Sequence, residues 1–449
     1  MKKLKLKHTI LIIAILSLIS IKSSFSAITF VINNNSNDKN KVLFYGFSSP
    51  DPILNQQILQ IYNKIIFNLN TTNLVQIVDF KPQGENQSQI FFDVESIPNF
   101  NQFYKDNFSS VVIAKFSSNS AGDLDLKIRM WDVEDKKQLF GKFYNSSSQN
   151  YNRLANAISN EIFKAISGES IGHFDSKILY VGETGPINKR IKKIKMIDFD
   201  GENIQTLTNG NELVLTPNFS KNNYEIFYLR YFDKKPQIFS LDLRNMRSQK
   251  LGGFRATTFA TSPNPVDKNI ILLSAIVDGN CDIYELNIAG NYAKRLTNSP
   301  AIDTTASYSP DGKQIVFSSD RQSNQQIYVM NSDGSNIVKI SQGGGSYSKP
   351  SWSSDGKLIA FTKIKSNQFM IGTMSPSGKN EKIHTTAYLV EGARWSASSR
   401  YLIYSKKKGP YGQDSIPRLY TIDIITGHEY EIPTPKLEGA SDPDWNQET

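Results

Sequence analysis

Tyr308-Ser309-Pro310-Asp311-Gly312-Lys313-Gln314-Ile315-Val316-Phe317-Ser318-Ser319 opens a unit that Ile327-Tyr328-Val329-Met330-Asn331-Ser332-Asp333-Gly334-Ser335-Asn336-Ile337-Val338-Lys339-Ile340-Ser341 completes. Four short strands are predicted in it: residues around Tyr308, then Ile315–Ser319, Ile327–Asn331 and Ile337–Ser341. Gly312 supplies the positive φ of the first tight turn, and Ser332-Asp333-Gly334-Ser335 is a hairpin signal. Ile315–Ser319 shows no regular alternation of polar and apolar residues, as expected of a strand covered on both faces. One such sheet cannot bury both faces alone, so it needs neighbours of its own kind.

The neighbours are present. Aligned on the polar residue that closes the third strand, the copies fall at Asp198, Asp242, Asn287, Asn331, Ser375 and Asp423, with gaps of 44, 45, 44, 44 and 48 residues. Ile238-Phe239-Ser240-Leu241, Ile283-Tyr284-Glu285-Leu286 and Leu419-Tyr420-Thr421-Ile422 repeat the third strand. Gly-centred turns and β-branched runs at this period exclude helical solenoids and predict a β-propeller of six blades. The copies are also out of step with the chain. Blades open at Tyr308-Ser309-Pro310, Trp352-Ser353-Ser354 and Trp395-Ser396-Ala397, but the earliest copy begins directly at its second strand, Lys177-Ile178-Leu179-Tyr180-Val181. Its missing opening is Pro443-Asp444-Trp445-Asn446, so the last strand is expected to complete the first blade and remove the free edges.

Ahead of the repeats the chain reads in three parts. Residues 1–26 form a secretory signal: four lysines precede the apolar run Ile10–Ile21, and Ser24-Phe25-Ser26 suits cleavage. Residues 27–40 pair a β-prone stretch, Ile28-Thr29-Phe30-Val31-Ile32, with a polar spacer, Asn33–Asn40. That combination reads either as a peptide that adds to a sheet edge or as an edge strand of the next domain. Residues 41–168 form an α/β domain: a strand at Val42–Phe47, a helix at Ile53–Asn68, a strand at Leu74–Phe80, and a short helix at Ile97–Lys105. A meander over Val111–Tyr144 and a helix at Tyr151–Ile166 complete it, with Gly168 as C-cap. The propeller domain is assigned to residues 169–449.

The net charge of +9 falls to +4 once the five lysines of the leader are removed, and no basic block remains to recruit nucleic acid. Cys281, the single cysteine, has no disulfide partner, and the histidines show no zinc spacing, so neither metal nor cofactor is expected. Gly168-Glu169-Ser170-Ile171-Gly172, next to His173, fits the nucleophile pattern Gly-x-Ser-x-Gly. That motif requires a strand-to-helix turn, whereas here a helix lies before it and a strand after it. Asp198-Phe199-Asp200-Gly201-Glu202 lacks the ligand positions of a Ca²⁺ loop and reads as a hairpin.

What remains is a surface. The segments leading into each first strand ring one mouth of the central channel and carry Glu212, Arg255, Thr258, Asp303, Thr304, Thr305, Tyr347, Lys349 and Glu391. Mixed charge with an aromatic suits a protein loop better than a polyanion.

Leader, tethered strand, α/β domain and six blades, in that order, resemble the TolB family, the periplasmic β-propeller component of the Tol–Pal system. The resemblance is carried by Ser309-Pro310-Asp311-Gly312-Lys313, Trp352-Ser353-Ser354-Asp355-Gly356-Lys357, Ile327-Tyr328-Val329-Met330-Asn331 and Pro443-Asp444-Trp445. It implies a non-catalytic, periplasmic, monomeric protein that supports outer-membrane integrity and constriction during cell division. It also implies that the channel mouth binds the lipoprotein Pal, that Ile28-Thr29-Phe30-Val31-Ile32 engages TolA, and that other outer-membrane or peptidoglycan-associated proteins are candidate partners. Alignment on Ser262-Pro263 puts Arg255 where the family often has His, and Thr305 where it often has Glu. The competing reading is a propeller that gates or accompanies a periplasmic hydrolase or peptidase, because blade motifs alone are shared with such proteins.

Overall fold

Asp51 accepts hydrogen bonds from the backbone of Ile53 and Leu54, and Pro52 comes next, so the first helix among the described residues has a defined start. It runs Pro52–Thr72 (α1) and ends on Asn73 in the left-handed conformation. A computed structural model of the protein describes residues 39–79, 93–119, 123–147, 150–233, 235–252 and 256–446. The signal segment and Ile28–Ile32 lie outside the described residues.

Around α1 are built β1 (Asn40–Tyr45), β2 (Val75–Asp79), α2 (Phe100–Lys105), β3 (Ser110–Ser118), β4 (Leu124–Asp132), β5 (Lys137–Ser146) and α3 (Tyr151–Ser167). The sheet order is β2-β1-β3-β4-β5, with β1 parallel to both neighbours and β3, β4 and β5 antiparallel. One face packs on α1 and α3, whose contact holds a buried amide of Asn68 that donates to Asn156 and Ser159. The other face takes Phe100 and Phe103 of α2 against Leu43, Val111 and Trp131. Gly168 caps α3 at φ 74°, donating to the Lys164 carbonyl, as the sequence leads one to expect.

Six four-stranded antiparallel sheets follow among the described residues. The third strands close at Asp198, Asp242, Asn287, Asn331 and Asp423, the residues that set the period. In three blades the opening turn is stitched by one hydroxyl. Ser309 Oγ donates to Asp311 at 2.6 Å and accepts from the Gln314 amide at 2.9 Å, and Ser353 does the same with Asp355 and Leu358. The sixth blade keeps the device with Ser398 in place of the aspartate. Closure is as the register predicts: Gly439–Trp445 is the innermost strand of the sheet that contains Lys177–Thr184, with Trp445 opposite Ile178.

The apolar core is partitioned by seams rather than by blades. Leu272 and Ile283 of the third blade cluster with Ile315 and Phe317 of the fourth, and Val316 and Ile327 of the fourth with Tyr347 and Phe361 of the fifth. The seam between the sixth and first blades is different, because it is continuous with the core of the α/β domain. There Trp445 stacks on Phe199 with centroids 5.8 Å apart, and its Nε1–H donates to Ser176 Oγ at 2.6 Å. Asp198-Phe199-Asp200-Gly201-Glu202 is a hairpin, and it also latches the domains: Asp200 and Glu202 both pair with Lys64 of α1.

His173 sits in this seam among Phe163, Phe174, Phe199, Tyr401 and Trp445, with no hydrogen-bond partner for either ring nitrogen among the described residues. Burial holds its imidazole down to about 3. An unfolded histidine titrates near 6.5, so the unfolded chain takes up the proton first as pH falls. The stabilising contribution is complete above that value and is lost progressively toward the folded value. The loss amounts to roughly 3 kcal/mol between pH 7 and pH 4. His173→Phe is expected to flatten the acid limb of a urea-unfolding series by about that amount, and parallel pH curves for the two proteins would refute it.

Candidate functional site: the channel mouth

The chemistry expected of a nucleophile motif is not assembled. Ser170 is exposed in the linker after α3, whereas His173 is enclosed in the seam. Among the described residues no group of three or more His, Cys, Asp or Glu could hold a metal ion, and no helix is long and apolar enough to cross a membrane. Cys281 is buried, its thiol pushed up to about 11 by burial, and it donates to the Asp303 carbonyl.

The channel mouth where the first strands begin has more structure than its loops suggest. Every first strand carries a β-bulge part-way along: the register against the second strand breaks after Leu215, Thr258, Thr304, Ser348, Glu391 and Ser441. At five of the six the extra residue has positive φ: Thr216 (46°), Thr305 (52°), Lys349 (49°), Gly392 (75°) and Asp442 (47°). Four of these are not glycine and two are β-branched, for which positive φ is a genuine outlier. Thr216, Lys349 and Asp442 also precede proline, a further restriction. Bulges of this kind re-aim side chains, and such strain persists only where surrounding structure over-determines it. Here it is held by bonds such as that from the Thr305 amide to Ser274 Oγ at 2.9 Å, with Thr305 Oγ1 3.0 Å from Ser318 Oγ.

The residues expected at this mouth divide into two groups. Lys349 and Glu391 are half-buried and pair across the fifth and sixth blades at 2.7 Å. Glu212 pairs with Arg230 of its own blade, and Thr304 and Thr305 are partly exposed. Tyr347 does not join the rim: its ring is enclosed between blades, its hydroxyl donates to Glu381 at 2.8 Å, and Lys363 lies over its face. Thr258 is buried with its hydroxyl on the Pro236 carbonyl, and Asp303 is buried with both carboxylate oxygens accepting from Arg321 Nη2. Arg255 lies outside the described residues.

Sequence reasoning missed the apolar part of the rim. Leu213, Ile302, Tyr388 and Leu437 stand just before four of the first strands and Phe259 in the bulge of a fifth, all exposed, Leu437 to 82%. Tyr231 and Phe232, at the end of the second blade's second strand, and Tyr411, in a loop on the same side, extend the patch. The available signal was the repeated placement of one large apolar residue just ahead of the first strand in four of the six blades. Clustered exposed apolar side chains rimmed by charge are the usual composition of a protein-interaction surface.

Residues 163–449 match the family described as the TolB beta propeller domain. Over 216 residues the chain is 38% identical to the Tol-Pal system protein TolB of Paramagnetospirillum magneticum. That stretch is 48% of this chain and 46% of the relative, so the likeness spans about half the length of either. Among solved structures, TolB from Acinetobacter baumannii superposes with a TM-score of 0.77 over 91% of this chain and 97% of that one, at 21% identity. Hydrazine synthase of Kuenenia stuttgartiensis reaches a TM-score of 0.50 at 12% identity, over 60% of this chain and 46% of its own. Blades are common to differently named proteins, so their architecture alone assigns no activity.

Proposed function

This chain belongs to the TolB β-propeller family, and from that premise we propose that it is the non-catalytic propeller component of a periplasmic Tol–Pal system. Its channel mouth binds the lipoprotein Pal, and Ile28-Thr29-Phe30-Val31-Ile32 engages TolA. It thereby links the peptidoglycan-associated layer to the inner membrane and supports outer-membrane integrity during constriction. The observation that carries this reading is the rim itself. Exposed Leu213, Phe259, Ile302, Tyr388 and Leu437 surround a ring of strained bulges, on the face opposite the α/β domain. A rigid mouth with apolar contacts and a central ion pair suits a folded partner whose loop enters the channel.

Calorimetric titration with the soluble domain of Pal tests it. Ile302→Asp and Leu437→Asp, each removing a rim contact, are expected to weaken binding by about tenfold or more. Lys357→Glu, on the opposite face, is expected to leave it unchanged. Deleting residues 27–32 is expected to abolish capture of TolA. Unaltered Pal binding in both rim variants would end the assignment of this face.

A further inference from the structure

The opposite end of the channel is built to a different rule. The last-but-one residues of the six first strands are Asn218, Ser262, Ser307, Ser351, Arg394 and Asp444. Each is followed by a ring or a proline, among them Trp352, Trp395 and Trp445. Together they line an open cavity of about 530 Å³, to which Ile171 of the interdomain linker also contributes. That volume lies in the range of small-molecule sites, and apolar walls with few convergent polar groups are their usual composition.

Four members of this ring are small and neutral, so its charge rests on one pair. Arg394 is only loosely held. Its Nε lies 3.6 Å from Asp444 Oδ1, and Nη2 donates to Asn218 Oδ1 at 3.4 Å, both at the outer limit of useful contact. A guanidinium has five N–H donors in a rigid fork, and the others of Arg394 have no acceptor among the described residues. Asp444 directs its other oxygen, Oδ2, to the Phe219 amide at 2.8 Å, so it meets Arg394 through Oδ1 alone. A second cation, Lys221, stands at the rim with its ammonium on the Val266 carbonyl.

We propose that this basal chamber is a binding site for a small organic carboxylate, the carboxylate on the unengaged N–H groups of Arg394 and an apolar body against Ile171, Pro263, Pro310 and the accessible edge of Trp352. The site is independent of the Pal-binding reading, because it lies at the other end of the channel and shares no residue with the rim.

The test uses the full mature chain with ¹⁵N-labelled tryptophan and follows the indole N–H resonances. Trp131, in the α/β domain, is the internal control. N-acetylphenylalanine is the probe, and N-acetylphenylalaninamide is its neutral counterpart. The acid is expected to shift the chamber indoles saturably and to bind about tenfold more tightly than the amide, as a charge-assisted bidentate contact requires. Arg394→Gln is expected to erase the difference between acid and amide, and Arg394→Lys to retain part of it. Equal binding of acid and amide, comparable shifts at Trp131, or no saturable shift with the acid would overturn the proposal. Should Arg394→Gln not fold, the acid–amide comparison on the parent chain decides alone.

Discussion

Deletion of residues 442–449 is expected to unfold the propeller outright rather than trim it. The deletion takes most of the innermost strand of the first blade, together with Trp445, which is 1% exposed and stacked on Phe199. It also removes Asn446, whose side chain accepts from the Lys177 amide at 2.9 Å and whose own amide returns to the Lys177 carbonyl. Losing a buried tryptophan to alanine costs about 3–5 kcal/mol by itself, against a typical total stability of roughly 5–15 kcal/mol. Here the loss is compounded by an open strand edge and by damage to the seam that carries the α/β domain. Thermal unfolding followed by circular dichroism is the measurement, with full-length Trp445→Ala as the milder comparison. A truncated protein that melts within a few degrees of the parent would show that closure contributes little.

Arg400→Met is the single substitution with the largest expected cost. Arg400 is 2% exposed; its guanidinium donates twice to Asp423 at 2.8 and 3.0 Å and lies 3.7 Å from Glu169 of the interdomain linker. Phe163 of α3 and Tyr401 lie within cation–π distance. The pair does not need to be strongly stabilising for its rupture to be costly. Removing the cation leaves Asp423 buried and uncompensated, which costs about 3–5 kcal/mol. Asp423→Asn keeps the acceptor that caps Ile425 and Thr426 while removing the charge, so the double variant Arg400→Met/Asp423→Asn should regain much of the loss. Urea unfolding of the three variants decides the matter. A cost below about 1 kcal/mol for Arg400→Met would mean that the pair is dispensable.

Period, blade number and circular closure were legible in the chain because each rests on local chemistry that recurs. The Ser-x-Asp-Gly turn, the Ile-Tyr anchor before Asn287 or Asn331, and the unmatched Trp445 are all readable one segment at a time. The rim was less legible. A bulge shifts strand phase by one residue, so alternation no longer tells which way Tyr347 or Thr258 points. Asp303 looked like a solvated loop carboxylate because its partner, Arg321, is supplied by the turn beyond the next strand. The latch between Lys64 and Asp200, and the enclosure of His173, join residues far apart in sequence that no local pattern connects. Leu213, Ile302 and Leu437 were passed over because single apolar residues in loops are ordinary. Their significance appears only when the ring sets them side by side.

The closing strand has a kinetic consequence. Ile178 and Trp445 are partners in one sheet but stand at opposite ends of the repeat array, so their pairing closes a loop of some 265 residues. Contacts of such long range are entropically expensive to initiate and form late. Until they form, the edge strand Lys177–Thr184 is presented bare, with its inner hydrogen-bonding groups free to accept the Gly439–Trp445 segment of another copy. Each molecule therefore passes through an interval in which correct sealing competes with strand exchange between chains. The outcome depends on concentration, and refolding yield should fall as the chain is refolded at higher density.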